Sequence, residues 1–411
     1  MPVRLYDIPP FQPRPPFPHF IPWTLFLLLC LSIAMTLSYT PQEDDTVVLD
    51  PDWKISLMKA LIVWMSALIL RMACYSWVFD RTQAENADNQ AYRQVAIRIG
   101  QRCHDVLAVS LHTALRPEGG NAAELQREAL ARGDKALKTQ ADWQASEEGS
   151  RHSRLPVLPG DTAQALLERT LRQGLADIAP TLAQLPEDTP LRVLREIDSS
   201  IDEEQCEALW QDAWAASGIR QAVSYSDERG LAVVDKRLDE DAKPTALLLV
   251  VAGRIAPEAV ADSAESLALL LLADARQQIT LPSLARLHRP ELECETSSND
   301  LSRTLLQALD WAPLDAQAIR HLWVAGRPAQ RNGDFNQLLV DTSLLKEDHA
   351  ALHDIDAFLG QPGVVAPWLA IAAASESIKA VAEPHLVLSG DQAQGQRLWC
   401  TSVSPPSARP Q

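Results

Sequence analysis

Two apolar runs near the start of the chain constrain its fold more than any other feature. After Pro22 the segment WTLFLLLCLSIAMTLSYT carries no charge. Counted from Phe20 it gives about 20 residues, the length a helix needs to cross a bilayer. The second run, ISLMKALIVWMSALILRMACYSWVF (Ile55–Phe79), is as long and holds only Lys59 and Arg71 as charges. Lys59 lies near one end, and the long stem of Arg71 reaches toward the other interface. Trp53, Tyr75 and Trp77 stand where interfacial aromatics collect. A signal peptide is the competing reading of the first run. The proline-rich stretch ahead of it (PVRLYDIPPFQPRPPFPHFIP) is unlike a basic leader, and no small-x-small cleavage site follows cleanly. Two buried helices of a soluble core are the competing reading of the pair.

Arg4 and Arg14 precede the first run, and Arg81, Arg93 and Arg98 follow the second. The segment between them, TPQEDDTVVLDPDWK, has five carboxylates against one Lys. The positive-inside rule therefore places both termini in the cytoplasm and the acidic loop outside. The chain reads as a proline-rich cytoplasmic tail (1–19), a two-helix transmembrane hairpin (20–79), a helical connector with the first part of the body (80–160), an α/β body (161–405) and a short tail (406–411). The expected location is the inner membrane, with the main domain in the cytoplasm.

A net charge of -17 argues against nucleic acid as a partner, because phosphate binding needs clustered Lys and Arg. Six cysteines are scattered without CxxC spacing, so neither a disulfide framework nor a zinc site is implied. In the body, CHDVLAVSLHTAL and LRVLREID read as strands. Asp161 and Thr162 are positioned to cap the helix that follows them. SSIDEEQCEALWQDAWAASG reads as a helix stopped by Gly218. QAVSYSDERGLAVVDKRL suggests two short strands around a turn at Asp227–Gly230. TALLLVVAG is apolar throughout, as a strand buried on both faces must be. SLALLLLADA fits a buried strand or a helix. SNDLSRTLLQALDWAPL, capped by Ser298 or Asn299, is an amphipathic helix. HLWVAG is a strand, Val364–Ala382 an alanine-rich helix, and HLVLS and RLWCTSVSP close the chain as strands. Strands and helices alternate, so the class is α/β.

No GxSxG, GxxxxGK[ST] or GxGxxG occurs. His349 and His353, four apart in HAALHDID, would share a helix face, but the glutamate of HExxH and a third ligand are lacking. Trp210, Trp214, Trp311, Trp323, Trp368 and Trp399 are many for a body with few other aromatics, and belong mostly in the core.

From about Thr245 the order of elements resembles the C-terminal half of the thiolase fold of β-ketoacyl synthases. The parts that carry this likeness are the helix Leu301–Leu309, the strand HLWVAG, the segment around Gly333 and Asp334, the loop LGQPG and the last two strands. The resemblance implies a thiolase-like layered α/β body. It also implies a catalytic histidine after the first strand, where Ala325, Gly326 and Arg327 stand, and another after Gly360, where Gln361 stands. Cys206 falls within a helix among acidic residues that raise its pKa, so no nucleophile is evident. The whole layout is similar to the membrane-anchored adapter proteins encoded beside lipase effectors in type VI secretion clusters. That likeness implies a non-catalytic adapter that binds a secreted effector, a phospholipase, and helps load it onto the spike protein. No catalytic, cofactor-binding or metal residue and no cofactor is expected. The alternative is a membrane-anchored acyl-binding or acyl-transfer enzyme of the thiolase-like superfamily.

Overall fold

The computed structural model describes residues 5, 8–41, 47–49, 51–143, 149–240, 246–277, 279–312, 314, 318–342, 351–391 and 394–406. They form two compact units, Leu5–Ala96 and the residues from Ile97 onward. In the first unit, α1 (Phe20–Leu37) is followed by an antiparallel ribbon of β1 (Tyr39–Pro41) and β2 (Val47–Leu49) and by the long α2 (Trp53–Gly100). Trp64 Nε1 donates to the Trp23 carbonyl at 2.9 Å, which pairs the two helices as a hairpin. Both are long and apolar enough to cross a membrane, with mean hydropathy of 2.2 and 1.8 over their best windows. Leu25, Leu28, Ile69 and Leu70 are each more than 60% exposed. Core helices of a soluble protein bury such side chains, and these do not.

The second unit is built from one topological unit used twice. The first copy runs β3 (Cys103–Thr113), then an insertion of α3 (Ala122–Arg132), β4 (Lys138–Gln140) and β5 (Ser150–His152). It continues α4 (Ala163–Leu182), β6 (Leu191–Asp198), α5 (Glu203–Ser217), β7 (Val223–Tyr225), α6 (Ala232–Asp239), β8 (Leu247–Arg254), β9 (Ser266–Asp274). The second copy runs β10 (Ala285–His288), β11 (Glu291–Leu292), α7 (Ser298–Trp311), β12 (His321–Ala325), α8 (Asn332–Asp341), β13 (Ala351–Asp354), the short α9 (Ile355–Phe358), α10 (Ala366–Ala380), β14 (His385–Gly390), β15 (Leu398–Ser404). In space the strands lie β13-β12-β14-β15-β10-β3-β9-β8-β6-β7, so the order of one half mirrors the other about the β10–β3 pair. Within each half the three outermost strands are parallel and the remaining pairings are antiparallel.

Side-chain alternation along the strands separates three cores. Leu247, Leu249 and Val251 of β8 face α4 and α5, with Leu167, Leu171 and Trp210. Leu322 and Val324 of β12 face α7 and α8. Leu248 and Val250 of β8 share the third core with Trp323 of β12, Val387 of β14, Val233 and Val234 of α6 and most of α10. The two half-sheets thus enclose α6 and α10 between them, giving five layers, α/β/α/β/α. Strands covered on both faces need apolar residues at every position, which is why β8 and β9 read as unbroken apolar runs. α10 is buried from Ala366 to Ser375, and its alanines let two sheets approach one helix closely.

Local signals behave as their chemistry requires. Thr162 Oγ1 accepts from Ala165 N at 3.2 Å at the start of α4, and Asp202 caps α5 through Glu204 N. α7 is capped by Ser297, one residue before the expected Ser298. Ser266–Asp274 is a strand, which resolves the two readings of that run. QAVSYSDERGLAVVDKRL is one strand and one helix, not two strands, because Val233, Val234 and Leu238 are swallowed by the central layer. β8 and β9 close the first copy, so the second copy starts near Ala285 rather than Thr245. Trp210, Trp311, Trp323 and Trp368 are fully buried and Trp399 nearly so, placing these tryptophans in the core.

Two turns pack backbone against backbone at the ends of β12 and β14. A Cβ added to Gly390 would lie 1.9 Å from the Gly326 carbonyl oxygen. Gly390→Ala should therefore lower stability by about 3 kcal/mol or more in urea denaturation. A loss below about 1 kcal/mol would mean that these turns do not touch.

Candidate functional site

The N-terminal ends of α6 and α10 lie close to the C-terminal ends of β6, β8, β12 and β14, and this junction is the candidate site. Glu196 of β6 ties it together. Its Oε1 accepts from Gly230 N at 2.8 Å, just before α6, and its Oε2 accepts from Trp368 Nε1 at 2.7 Å, in the first turn of α10. Burial raises the Glu196 pKa, opposed by these two hydrogen bonds. The place where a side chain at Gly230 would point is filled by Asp391, whose Oδ2 lies 2.4 Å from an added Cβ.

Asp356 does the same for the turn after β12. Its Oδ1 accepts from Gly326 N at 2.7 Å and its Oδ2 from Arg327 N at 2.8 Å. Loss of water around the carboxyl pushes its pKa up to about 7, against the pull of those two N–H groups. Gly326 has φ 66, the left-handed region a glycine allows, and this turns both amides toward Asp356. The turn before α10 is fixed by backbone alone: Gln361 N donates to the Asp262 carbonyl at 2.7 Å, and Ala264 N to the Gln361 carbonyl at 2.9 Å. Gly363 leaves no room for a side chain, since an added Cβ would lie 2.0 Å from Arg254 Nη1. Arg254 in turn faces Asp198 at 3.4 Å.

The fold brings together two of the positions singled out by sequence, because Gln361 Nε2 donates to the Arg327 carbonyl at 3.4 Å. The Arg327 guanidinium points elsewhere, to Asp354 Oδ2 at 3.0 Å and Asn332 Oδ1 at 2.9 Å, above the Phe335 ring. Cys206 lines a cleft of about 350 Å³ with Arg195, Glu196, Glu203 and Arg229. Its thiol donates to the Ile201 carbonyl, and its pKa is raised by burial first, with Asp202 and Glu203 adding to it. Asp334 lies in α8 and binds Arg331 at 2.7 Å. His353 belongs to strand β13, not to a helix, and His349 lies outside the described residues. Among the described residues no group of three or more His, Cys, Asp or Glu is arranged to hold a metal. The roles of Glu196, Asp356 and Asp391 at this junction were not foreseen; each reads as an ordinary acid until the fold closes around it.

Another cleft, of about 520 Å³, lies away from this junction beside α4. Ser110 Oγ is 2.7 Å from Asp177 Oδ2 and 3.1 Å from His112 Nε2 there. One imidazole nitrogen faces both the serine and the acid, whereas a nucleophilic relay needs them on opposite ring nitrogens.

No family model and no curated protein matches the chain. Solved structures do. A PfaC ketosynthase–chain length factor aligns with 75% of this chain at 10% identity and a TM-score of 0.52, and this chain spans 43% of that protein. An ishigamide ketosynthase/chain length factor aligns with 74% at 14% identity, TM-score 0.54, over 99% of its length. A ketosynthase from the bacillaene synthase of Bacillus subtilis 168 aligns with 75% at 8% identity, TM-score 0.53, over 73% of its length. The body has a thiolase-like fold. The likeness takes in both halves of it, well beyond the stretch from Thr245 that suggested it.

At the junction of α6 and α10 several backbone N–H groups are already paired. An oxyanion hole requires backbone N–H groups left free for a developing charge. Here Gly230 N, Gly326 N and Arg327 N are each held by a carboxylate of this chain, and Gln361 N by a carbonyl. Glu196→Ala removes the acceptor of two part-buried donors and should cost about 1–3 kcal/mol in chemical denaturation. Asp356 holds its proton more tightly when folded, so its contribution is present below about pH 4 and is lost as pH rises through about 7. The stability difference between the wild type and Asp356→Asn should therefore shrink from pH 4 to pH 8. A difference independent of pH would show that the carboxyl is hydrated in the folded state.

Proposed function

We propose that the protein is a non-catalytic adapter anchored in the inner membrane by its helical hairpin, with the thiolase-like body in the cytoplasm. The observation that carries this reading is the occupation of Gly230 N, Gly326 N and Arg327 N by Glu196 and Asp356. A body with this fold whose Gly230, Gly326 and Arg327 amides are taken by its own acids is better suited to binding than to acyl chemistry. The exposed apolar faces of α1 and α2 support the anchor. The basic residues outside the hairpin and the acidic segment inside it support the orientation. On this reading the cargo is a secreted effector, a lipase toxin, which the protein holds for loading onto the spike of a type VI secretion system.

A second reading, an acyl-binding or acyl-transfer enzyme, is favoured by the ketosynthase neighbours and by the cleft of about 350 Å³ beside Glu196. One set of assays on the full chain in detergent separates the two. The adapter should form a stable complex with a lipase effector and a spike protein on size exclusion, and should neither bind acyl-CoA nor transfer its acyl group. Cys206→Ser and Gln361→Ala should leave the complex unchanged. Acyl transfer that disappears in either variant would overturn the adapter.

A further inference from the structure

The proline-rich segment ahead of α1 has no part in the reading above, yet its packing is specific. Gln12 and Asn86 of α2 exchange two hydrogen bonds: Gln12 N donates to Asn86 Oδ1 and Asn86 Nδ2 to the Gln12 carbonyl, both at 3.0 Å. Gln12 Nε2 also reaches Glu85 Oε2 at 3.2 Å. Five residues on, the Phe17 ring meets Tyr75 edge-on at 5.4 Å. Tyr75 and Asn86 are eleven residues apart, about 16.5 Å along a helix. Gln12 and Phe17 are five apart, about 15.5 Å along a polyproline II strand. The two lengths agree only if the segment runs extended and antiparallel alongside α2. His19, at the end of it, has φ -66 and ψ 137, the polyproline II values.

A polyproline II strand repeats every three residues, so each third residue shares an edge. Gln12, Pro15 and Pro18 form the edge toward α2: Gln12 is bonded to it, Pro15 is half-buried and Pro18 is buried. The other two edges are Pro10, Pro13 and Pro16, and Phe11, Arg14 and Phe17. Every one of these six is exposed, Phe11 to 75% and Phe17 to 50%. Pro10, Pro13 and Pro16 give two consecutive PxxP spacings on one outward edge, with a cation, Arg14, on the neighbouring one.

We propose that this strap, Pro9–Pro18, is a ligand presented on α2 for a protein partner with an aromatic-lined groove and a carboxylate at its rim for Arg14. Such grooves read alternate proline edges of an extended chain, and a strand already held straight loses little entropy on docking. The Gln12–Asn86 pair keeps the strap straight and the Pro10, Pro13 and Pro16 ridge outward, while on the neighbouring ridge Phe17 rests against Tyr75 and Phe11 and Arg14 stay exposed. The inference stands apart from the reading of the body.

The test uses the full chain in lipid nanodiscs and an isolated WW domain as the aromatic-groove probe. Saturable binding is expected, weakened at least tenfold in a Pro13→Ala/Pro16→Ala double variant and at least threefold in Asn86→Ala, which frees the strap. In Phe11→Trp, the new indole should be quenched by acrylamide and not by brominated lipid. Absence of binding, or binding that ignores the two prolines, would overturn the proposal. Tighter binding in Asn86→Ala would do so too, because the helix would then mask the strap. Quenching by brominated lipid would assign it to the membrane surface instead.

Discussion

Burial of α10 on every side is the constraint on which the rest of the body depends. A helix enclosed between two half-sheets must carry small apolar residues, and Ala370, Ala372, Ala373 and Ala374 supply them. Enclosure also fixes the first turn of α10, which sets Trp368 against Glu196 and Gly363 against Arg254. The tight turn at Gly326 follows from the same packing, since a side chain there would strike Ala366. The core and the candidate site are therefore two aspects of one arrangement: the residues that pack the helix also decide which polar groups face each other at its end.

Those polar groups are arranged for stability. A buried backbone N–H left without an acceptor is costly, and a catalytic site tolerates that cost because substrate relieves it. In this chain Glu196 and Asp356 satisfy these donors, and burial raises the pKa of both carboxyls, because charge is costly where water is excluded. Asp391 occupies the space beside Gly230, so a nucleophilic side chain placed there would first have to displace a carboxylate.

Much of this body could be read from its sequence where one face or both faces of an element are uniformly buried. TALLLVVAG declares a strand covered on both sides, and the alanines after Gly363 declare a close-packed helix. The reading failed at α6, AVVDKRLD, where Val233 and Val234 favour a strand locally and only the central layer makes them helical. It also stopped short of the internal duplication, because strand order is set by long-range pairing that no local pattern encodes. That no histidine stands at Ala325–Arg327 or directly after Gly360 was legible. The carboxylate that ties this junction together was not, since Glu196 meets Gly230 and Trp368 only across gaps of 34 and 172 residues.

The central claim is that the amides at this junction are occupied by the protein's own acids. Hydrogen–deuterium exchange of Gly230, Gly326 and Arg327 in the full chain tests it directly. The account predicts slow exchange at all three, with no change when acyl-CoA is added. Rapid exchange that becomes slow with acyl-CoA would show free donors awaiting a ligand, and would contradict it.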